Sequence, residues 1–401
     1  MFKDIAFNNY FWEGFSSDYY QLEGDWLHIH LKPIDNQSLI CPHCSSSSSS
    51  IHDTVYRQVR ERDLFHLKVW LHIPVRRVLC SSCGPKVQYI SWLSPGARLT
   101  KRLQNYAASL CELLPIKHIA QLLNLSWHTV KEIDKRRLST VVRPPNWSEV
   151  SRLVMDEFAL FKGHRYATVV ADADTHQVLW VGIGRSRKQI RPFFELMGEH
   201  CKHIEAVAMD MNTAFDLEVQ QHCPNAAIVY DLFHVIAKYG REVIDRVRLD
   251  EANRLKNDKP ARKWVKRSRW VLLKNRENMD DTQQNYLDEL LEKNHNLMVV
   301  YVLKAQLKEL WYCDSIEQAT SFWELWWQQV QDSGIEPLKL FARRLKPYLS
   351  GIISSAIFHI NTSKLEGINN KIKVIKRMAY GFRDIDYFFL KIRAAFPGIR
   401  R

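Results

Sequence analysis

Between Ser151 and Asp231 the chain reads as three consecutive strands, then helix, strand, helix, strand, and few folds satisfy that order. Arg152 to Met155 is a short apolar strand that stops at Asp156. Tyr166 to Ala171 and Val178 to Ile183 are the next two, parted by the turn residues Asp172 to Thr175. A helical period runs from about Gln189 to His200, and Ile204 to Met209 is a fourth strand, ending at Asp210. A second helix, about Thr213 to His222, leads to a fifth strand, Ala226 to Tyr230, which ends at Asp231. The pattern is that of an α/β domain.

The order matches the ribonuclease H arrangement, in which the first and fourth strands lie side by side. Asp156 and Asp210 would then meet at one edge of the sheet. A third acid comes from the segment SKLEGINNKIKVIKRMAYGFRD, Ser363 to Asp384, which reads as a helix. Leu365, Ile368, Ile372, Ile375 and Met378 make an apolar stripe, and Glu366, Asn370, Lys373 and Arg377 lie opposite, about one turn apart. Three acids in one place repel one another unless divalent cations neutralise them. Two such ions about 4 Å apart can activate a nucleophile and stabilise the leaving oxygen of a phosphodiester. Lys373 and Arg377 suit phosphate contacts.

Each acid also has an ordinary explanation. An acid at a strand end is commonly a turn or helix-cap residue. Glu157 should point away from Asp156 if the strand continues. Asp172 and Asp174 read as hairpin turn residues. Asp231, followed by Phe233 and His234, is either an outer support or a competing third ligand.

The formal net charge of +13 favours a polyanionic partner, and charge alone does not separate nucleic acid from an anionic membrane surface. No apolar run approaches the length of a membrane span. The start, MFKDIAFNNYFWEGF, lacks the pattern of a secretory signal, so a reducing cytoplasm is the expected compartment, with the protein held at the nucleoid through DNA. Of eight cysteines, four form two Cys-x-x-Cys units, Cys41/Cys44 and Cys80/Cys83. Two such knuckles supply all the ligands of a closed, structural Zn²⁺ site, with His43 as an alternative ligand. Around them, residues 1–95 read as β-rich, with strands at Trp26 to Leu31 and Val69 to Ile73. The tract Ser45 to Ser50 reads as a flexible loop.

Pro115 to Leu138, PIKHIAQLLNLSWHTVKEIDKRRL, reads as two short helices across a tight turn, a helix-turn-helix. The second helix, Ser126 to about Arg137, would present Ser126, His128, Thr129 and Lys131 to base edges and Lys135, Arg136 and Arg137 to phosphates. Val141 to Trp147, VVRPPNW, is a linker. Residues from about 232 to 350 show no convincing strand and read as a helical, tryptophan-rich insertion. From Arg241 to Arg276 it carries thirteen Lys or Arg against five Asp or Glu, a stretch suited to the DNA backbone. Trp264 and Trp270 lie within that stretch and could stack on an unpaired base, whereas Trp323, Trp326 and Trp327 read as core.

The segment DEFALFKGHRYATVVADADTHQVLWVGIGRSR resembles the first catalytic block of the ISL3-family insertion-sequence transposases. AMDMNTAF and AIVYDLFHV are similar to the second block and KLEGINNKIKVIKRMAYGFRD to the third, and the resemblance extends over the zinc module and the helix-turn-helix. It implies a DDE transposase with catalytic acids Asp156, Asp210 and Glu366 binding two Mg²⁺ ions, with Mn²⁺ a substitute. It also implies that double-stranded DNA is the partner, as terminal inverted repeats and as target, with at least a dimer on that DNA. Asp231 and His234 match a family motif.

The expected architecture is therefore a β-rich zinc-ribbon-like module (1–95), a helix-turn-helix domain (96–147), a ribonuclease H-like core (148–235 and 351–401) and an α-helical insertion (236–350). Two rival functions remain: a non-catalytic DNA-binding regulator, and a ribonuclease H-like nuclease without strand transfer.

Overall fold

A computed structural model describes residues 10–34, 39–48, 50–163, 165–360 and 363–399. The chain forms two compact units, Met1–Val141 and Val142–Arg401.

The first unit opens with a sheet of β1 (Phe15–Glu23), β2 (Trp26–Pro33), β5 (Ile51–Leu64), β6 (Leu67–Cys80) and β7 (Gly84–Val87). Their order is β1-β2-β6-β5, with β7 on β6. The alternation read in the sequence is the burial alternation observed. Leu27, Ile29 and Leu31 of β2 and Val69, Leu71 and Ile73 of β6 turn into one core with Phe15 and Trp92. A small hairpin of β3 (Leu39–Ile40) and β4 (Ser47–Ser48) stands beside it. The serine tract is thus not simply a loop. Ser47 and Ser48 pair with β3, and Ser48 Oγ donates to Leu79 O at 3.0 Å. Ser49 lies outside the described residues. Three helices follow, Lys101–Leu110, Ile116–Leu122 and Trp127–Val141, around Leu103, Ala107, Ile119, Leu123, Val130 and Ile133.

The second unit is built on β8 (Arg152–Phe161), β9 (Arg165–Asp172), β10 (Val178–Ile183), β11 (Ala206–Met209) and β12 (Ala227–Tyr230), in the order β10-β9-β8-β11-β12. β8, β11 and β12 run parallel, and β9 is antiparallel to both β8 and β10. One expectation needs correction. The first strand does not stop at Asp156, because antiparallel pairing with β9 carries it on to Phe161, with Asp156 opposite Val169. Only the pairing with β11 ends early, at Val154↔Ala208.

Side-chain parity divides the sheet's two faces. Leu153, Met155, Val207 and Met209 face one core, and Val154, Phe158, Ala206 and Ala208 face the other. The first core also contains Leu297, Leu303, Trp326 and Phe341, so the helical insertion is continuous with the sheet's packing rather than a body with its own core. The second is covered by helices Ser363–Met378 and Ile385–Ala395 through Ile368, Ile372, Phe388 and Ile392.

Helices Arg187–Met197 and Thr213–His222 are joined by a buried ionic hub. Glu218, fully buried, accepts from Arg187 Nε at 2.7 Å and from Arg191 Nη2 at 3.0 Å. Arg191, then Arg187, hold its carboxyl down at about 2 against the opposing effect of burial. The stability this gives is present above the ordinary glutamate range and is lost as pH falls toward 2. Glu218→Ala removes the shared acceptor of two guanidinium groups that are 42% and 40% exposed, and should destabilise this unit by about 1.5–3 kcal/mol at pH 7, read by urea denaturation. An effect below about 1 kcal/mol would mean that the hub is solvated.

Candidate active site

The register of the parallel strands brings three acids into one row. Val154, Ala208 and Val229 are direct partners on β8, β11 and β12. Two residues further along each strand stand Asp156, Asp210 and Asp231. In extended chain a step of two returns to the same face, and adjacent strands are about 4.8 Å apart. The row therefore begins where the pairing of these strands ends, on the face covered by helix Ser363–Met378.

The members of the row act on one another electrostatically. Burial pushes the Asp156 carboxyl up to about 6. The charges of Asp210 and Asp231 add to that rise, while the Glu157 backbone N–H and His234 oppose it. Asp231 caps helix Leu232–Tyr239, accepting from Phe233 N at 2.9 Å, and its other oxygen meets His234 Nδ1 at 2.9 Å. That pairing, with the charges of Asp210, Asp231 and Asp156, pushes His234 up to about 9. Behind the row, Tyr230 donates to Asp216 Oδ1 at 2.9 Å. Glu157 pairs with Arg185 instead of joining the row. Asp172 accepts from Asp174 N and from Thr175 Oγ1, at 2.9 and 2.8 Å, which makes it a turn residue.

Helix Ser363–Met378 buries Ile368 and Ile372 and exposes Glu366, Asn370, Lys373 and Arg377, the division its sequence period predicts. Of the expected stripe, Met378 is 45% exposed, and the side chain of Leu365 lies outside the described residues. Glu366 is in the first turn. One turn later, Asn369 Nδ2 donates to Asp156 Oδ2 at 2.6 Å, tying the helix to the row. Sequence reasoning missed Asn369. Its signal was the Asn-Asn doublet one turn after Glu366, on the border between the apolar stripe and the polar face. Lys373 Nζ donates to Asn370 Oδ1 at 3.2 Å, and Arg377 is exposed.

Among the described residues, one set of metal-type ligands closes to within 4.8 Å: Cys41, Cys44, Cys80 and Cys83. Asp156, Asp210 and Glu366 are not drawn to that spacing. Glu366 is exposed.

The cysteines sit in two hairpin turns. Cys41 and Cys44 lie between β3 and β4, where Cys41 N donates to Ser46 O and Ser45 N to Cys41 O, both at 2.9 Å. Cys80 and Cys83 lie between β6 and β7, with Cys80 opposite Gly84. Cys44 Sγ and Cys80 Sγ are 3.5 Å apart. Ser46, with the backbone N–H groups of Cys83 and Ser82, holds the Cys80 thiol down at about 6. Hydrogen bonding to Cys44 and burial push Cys83 up to about 12. Four crowded thiols cannot all ionise unaided, and a tetrahedral thiolate set with no open position is what structural Zn²⁺ takes. His43 Nδ1 reaches only to 3.8 Å from Cys83 Sγ and is not in the set.

In the helical domain Asn124, at φ 50°, makes the turn between helices Ile116–Leu122 and Trp127–Val141. Ser126 caps the second of these, accepting from Thr129 N at 3.1 Å, and its hydroxyl is 2.8 Å from that of Thr129. His128 is exposed, and Lys131 and Lys135 are half-buried. Arg136 is exposed. Arg137 is committed within the domain, to Glu112 at 2.8 Å and to buried Asp134 at 2.9 Å. Elsewhere, Trp270 is 71% exposed, with the Arg269 guanidinium 5.0 Å from its ring, so it remains accessible. Trp264 packs edge-on against Tyr286, and Trp326 Nε1 donates to Leu303 O at 2.9 Å within the core. Among the described residues no helix is long and apolar enough to cross a membrane.

Comparison with known proteins follows the same divisions. A family model described as a transposase matches residues 153–392. A helix-turn-helix domain of transposase family ISL3 matches 90–138, and a zinc finger of the IS204/IS1001/IS1096/IS1165 transposases matches 37–83. The chain is 50% identical over 395 residues to the transposase for insertion sequence element IS1001 of Bordetella parapertussis, covering 97% of each. It is 27% identical to the transposase for IS1557 of Mycobacterium tuberculosis, over 82% of this chain and 78% of that one. Among solved structures, the Drosophila P element transposase strand transfer complex aligns at 10% identity over 73% of this chain and 90% of that one. Its TM-score of 0.37 is too low to bear on the argument. The matched segments span the zinc module, the helix-turn-helix and the acid-bearing sheet, and the chain belongs to the ISL3 family of insertion-sequence transposases.

Proposed function

We propose that this transposase is a DDE enzyme. It binds the terminal inverted repeats of its element, hydrolyses the DNA at the element's ends, and joins the freed 3′-hydroxyls to target DNA. The observation that carries the reading is the row of Asp156 and Asp210 at the end of paired, adjacent parallel strands, under the helix that carries Glu366. The strand order β10-β9-β8-β11-β12, with β9 antiparallel, supports a ribonuclease H-like core.

The donor set suits hard divalent cations such as Mg²⁺, since it is all oxygen and anionic. The buried, unpartnered Oδ1 of Asn369 beside Asp156 adds a neutral oxygen that such an ion, or its water, would satisfy. Asp156, Asp210 and Glu366 are the proposed ligands, and ions held there would activate the attacking oxygen and stabilise the leaving one. Lys373 and Arg377, on the exposed face of the same helix, neutralise phosphate, and the basic stretch from Arg241 to Arg276 follows the backbone. His128 and Lys131 are the proposed base-reading side chains, with Ser126 and Thr129 setting the helix start and Lys135 and Arg136 on phosphates. Arg137 is retained as a weaker phosphate contact because of its internal pairing. Two ends must be joined, so the working form is at least a dimer on DNA, in the cytoplasm.

The test is strand transfer of precut ends in Mg²⁺. Wild type should give joined product, while Asp210→Ala and Glu366→Ala give none and bind ends with unchanged affinity. Joined product from either variant would refute the assignment. If wild type joins nothing, cleavage of uncut ends would favour a nuclease, and end binding without such cleavage a regulator.

A further inference from the structure

Among the described residues, a part-buried polar contact joins helix Ser363–Met378 to the acid row, and it comes from a residue outside the three acids. Asn369, 8% exposed, donates from Nδ2 to Asp156 Oδ2 at 2.6 Å. Asp156 Oδ1 accepts from the backbone N–H of Glu157 at 2.7 Å. The carboxylate is therefore gripped at both oxygens, by its own strand and by the helix that carries Glu366, and one lone pair on each oxygen is left for another partner. Glu366 precedes Asn369 by three residues, so the two lie on neighbouring positions of one helix face. Holding Asn369 against Asp156 sets the rotation of that helix and with it the direction of Glu366.

The other end of the amide is the more informative. Asn369 Oδ1 is buried with no hydrogen-bond partner among the described residues. Turning the amide over would not relieve it, because two oxygens would then face each other at Asp156. A buried acceptor that no protein group meets carries a desolvation cost unless water or an ion satisfies it. A leucine here would pack beside Ile368 and Ile372 without that cost. A neutral oxygen beside a crowded anionic row has one advantage that a further carboxylate lacks: it adds a ligand atom without adding repulsion.

We propose that Asn369 belongs to the cation site, as a positioning residue that holds Asp156 through Nδ2 and offers Oδ1 to a divalent cation or to water bound to it. The inference rests on the reading of Asp156 and Asp210 as cation ligands. It is tested on the full chain without DNA, by Mn²⁺ titration calorimetry and by melting temperature in chelator and in Mn²⁺. Asn369→Leu should bind Mn²⁺ about ten- to a hundredfold more weakly, the scale of losing an outer-shell partner. Asn369→Asp sets a second carboxylate against Asp156, so it should melt lower than wild type in chelator and regain the difference in Mn²⁺. Wild-type Mn²⁺ affinity in Asn369→Leu would overturn the proposal. Should that variant fail to fold, an Asn369→Asp protein whose melting is indifferent to Mn²⁺ would overturn it equally. Asp156→Ala is the control. If it loses Mn²⁺ while Asn369→Leu keeps it, only the role of Asn369 falls. If it keeps Mn²⁺, the cation site itself falls.

Discussion

Asp156→Asn is expected to bind element ends as the wild type does, to cut and join nothing, and to melt at a higher temperature in the absence of divalent cations. The first two outcomes follow from removing an anionic ligand while keeping its shape. The loss of cleavage should be on the order of a thousandfold or more, the scale of losing one preorganised electrostatic stabiliser. The third follows from linkage. Burial, with Asp210 and Asp231 adding, raises the Asp156 carboxyl to about 6 from an ordinary 3.8. A carboxyl raised on folding stabilises the fold while protonated. That contribution is complete below the ordinary value and is lost as pH rises through about 6. At pH 8 the wild type therefore holds a buried carboxylate that opposes folding, by an upper bound of about 3 kcal/mol from the size of the shift. Asparagine is neutral at every pH and can keep the contact with Asn369. The gap in melting temperature should amount to a few degrees at pH 8 and close near pH 4. Mg²⁺ or Mn²⁺ should stabilise the wild type and leave the variant unchanged. A variant that melts below wild type at pH 8 in chelator would show that the carboxylate is not under strain.

Removing zinc should unfold part of the first unit and leave the second intact. The hairpins at Leu39–Ser48 and Cys80–Val87 converge on four sulfurs within 4.8 Å. Binding of structural zinc is worth about 10–16 kcal/mol in isolated zinc-finger peptides, and in such modules that energy is folding energy. Metal analysis should find one zinc per chain in the wild type and none in Cys80→Ser. Proteolysis of the variant should begin within these hairpins, and its affinity for element ends should fall at least tenfold. The stabilisation of the second unit by Mn²⁺ should persist, since its core is built without these residues. A Cys80→Ser protein that keeps its zinc and its end binding would refute the site.

The strands of the second unit were legible because period-two burial is a local property. Val178 to Ile183 was read to the residue, and the others to within a residue or two, except β8. There the sequence showed an apolar run ending at an acid. Only pairing with β9 extends the strand through Asp156 and Glu157 to Phe161. The serine tract misled for a related reason. Serine has little preference for strand, and Ser47 and Ser48 are held by partners on β3 and by the end of β6. The insertion read correctly as helical, yet nothing local said that Trp326 and Leu303 would share a core with Met155 and Phe193.

By itself the sequence determined which residue types were available and in what periods: four cysteines in knuckle spacing, a helix with Glu366 opposite its apolar stripe, and acids after the apolar strands. Those are properties of neighbours along the chain, where periodicity and spacing are set. The tertiary structure alone decided that Asp231 falls in the same row as Asp156 and Asp210, that His234 pairs with Asp231 beside them, and that Asn369 grips Asp156. Register between strands and the seating of a helix on a sheet join residues such as Asp156 and Asn369, 213 positions apart. They are fixed by which cores can close together, and no local pattern carries that information.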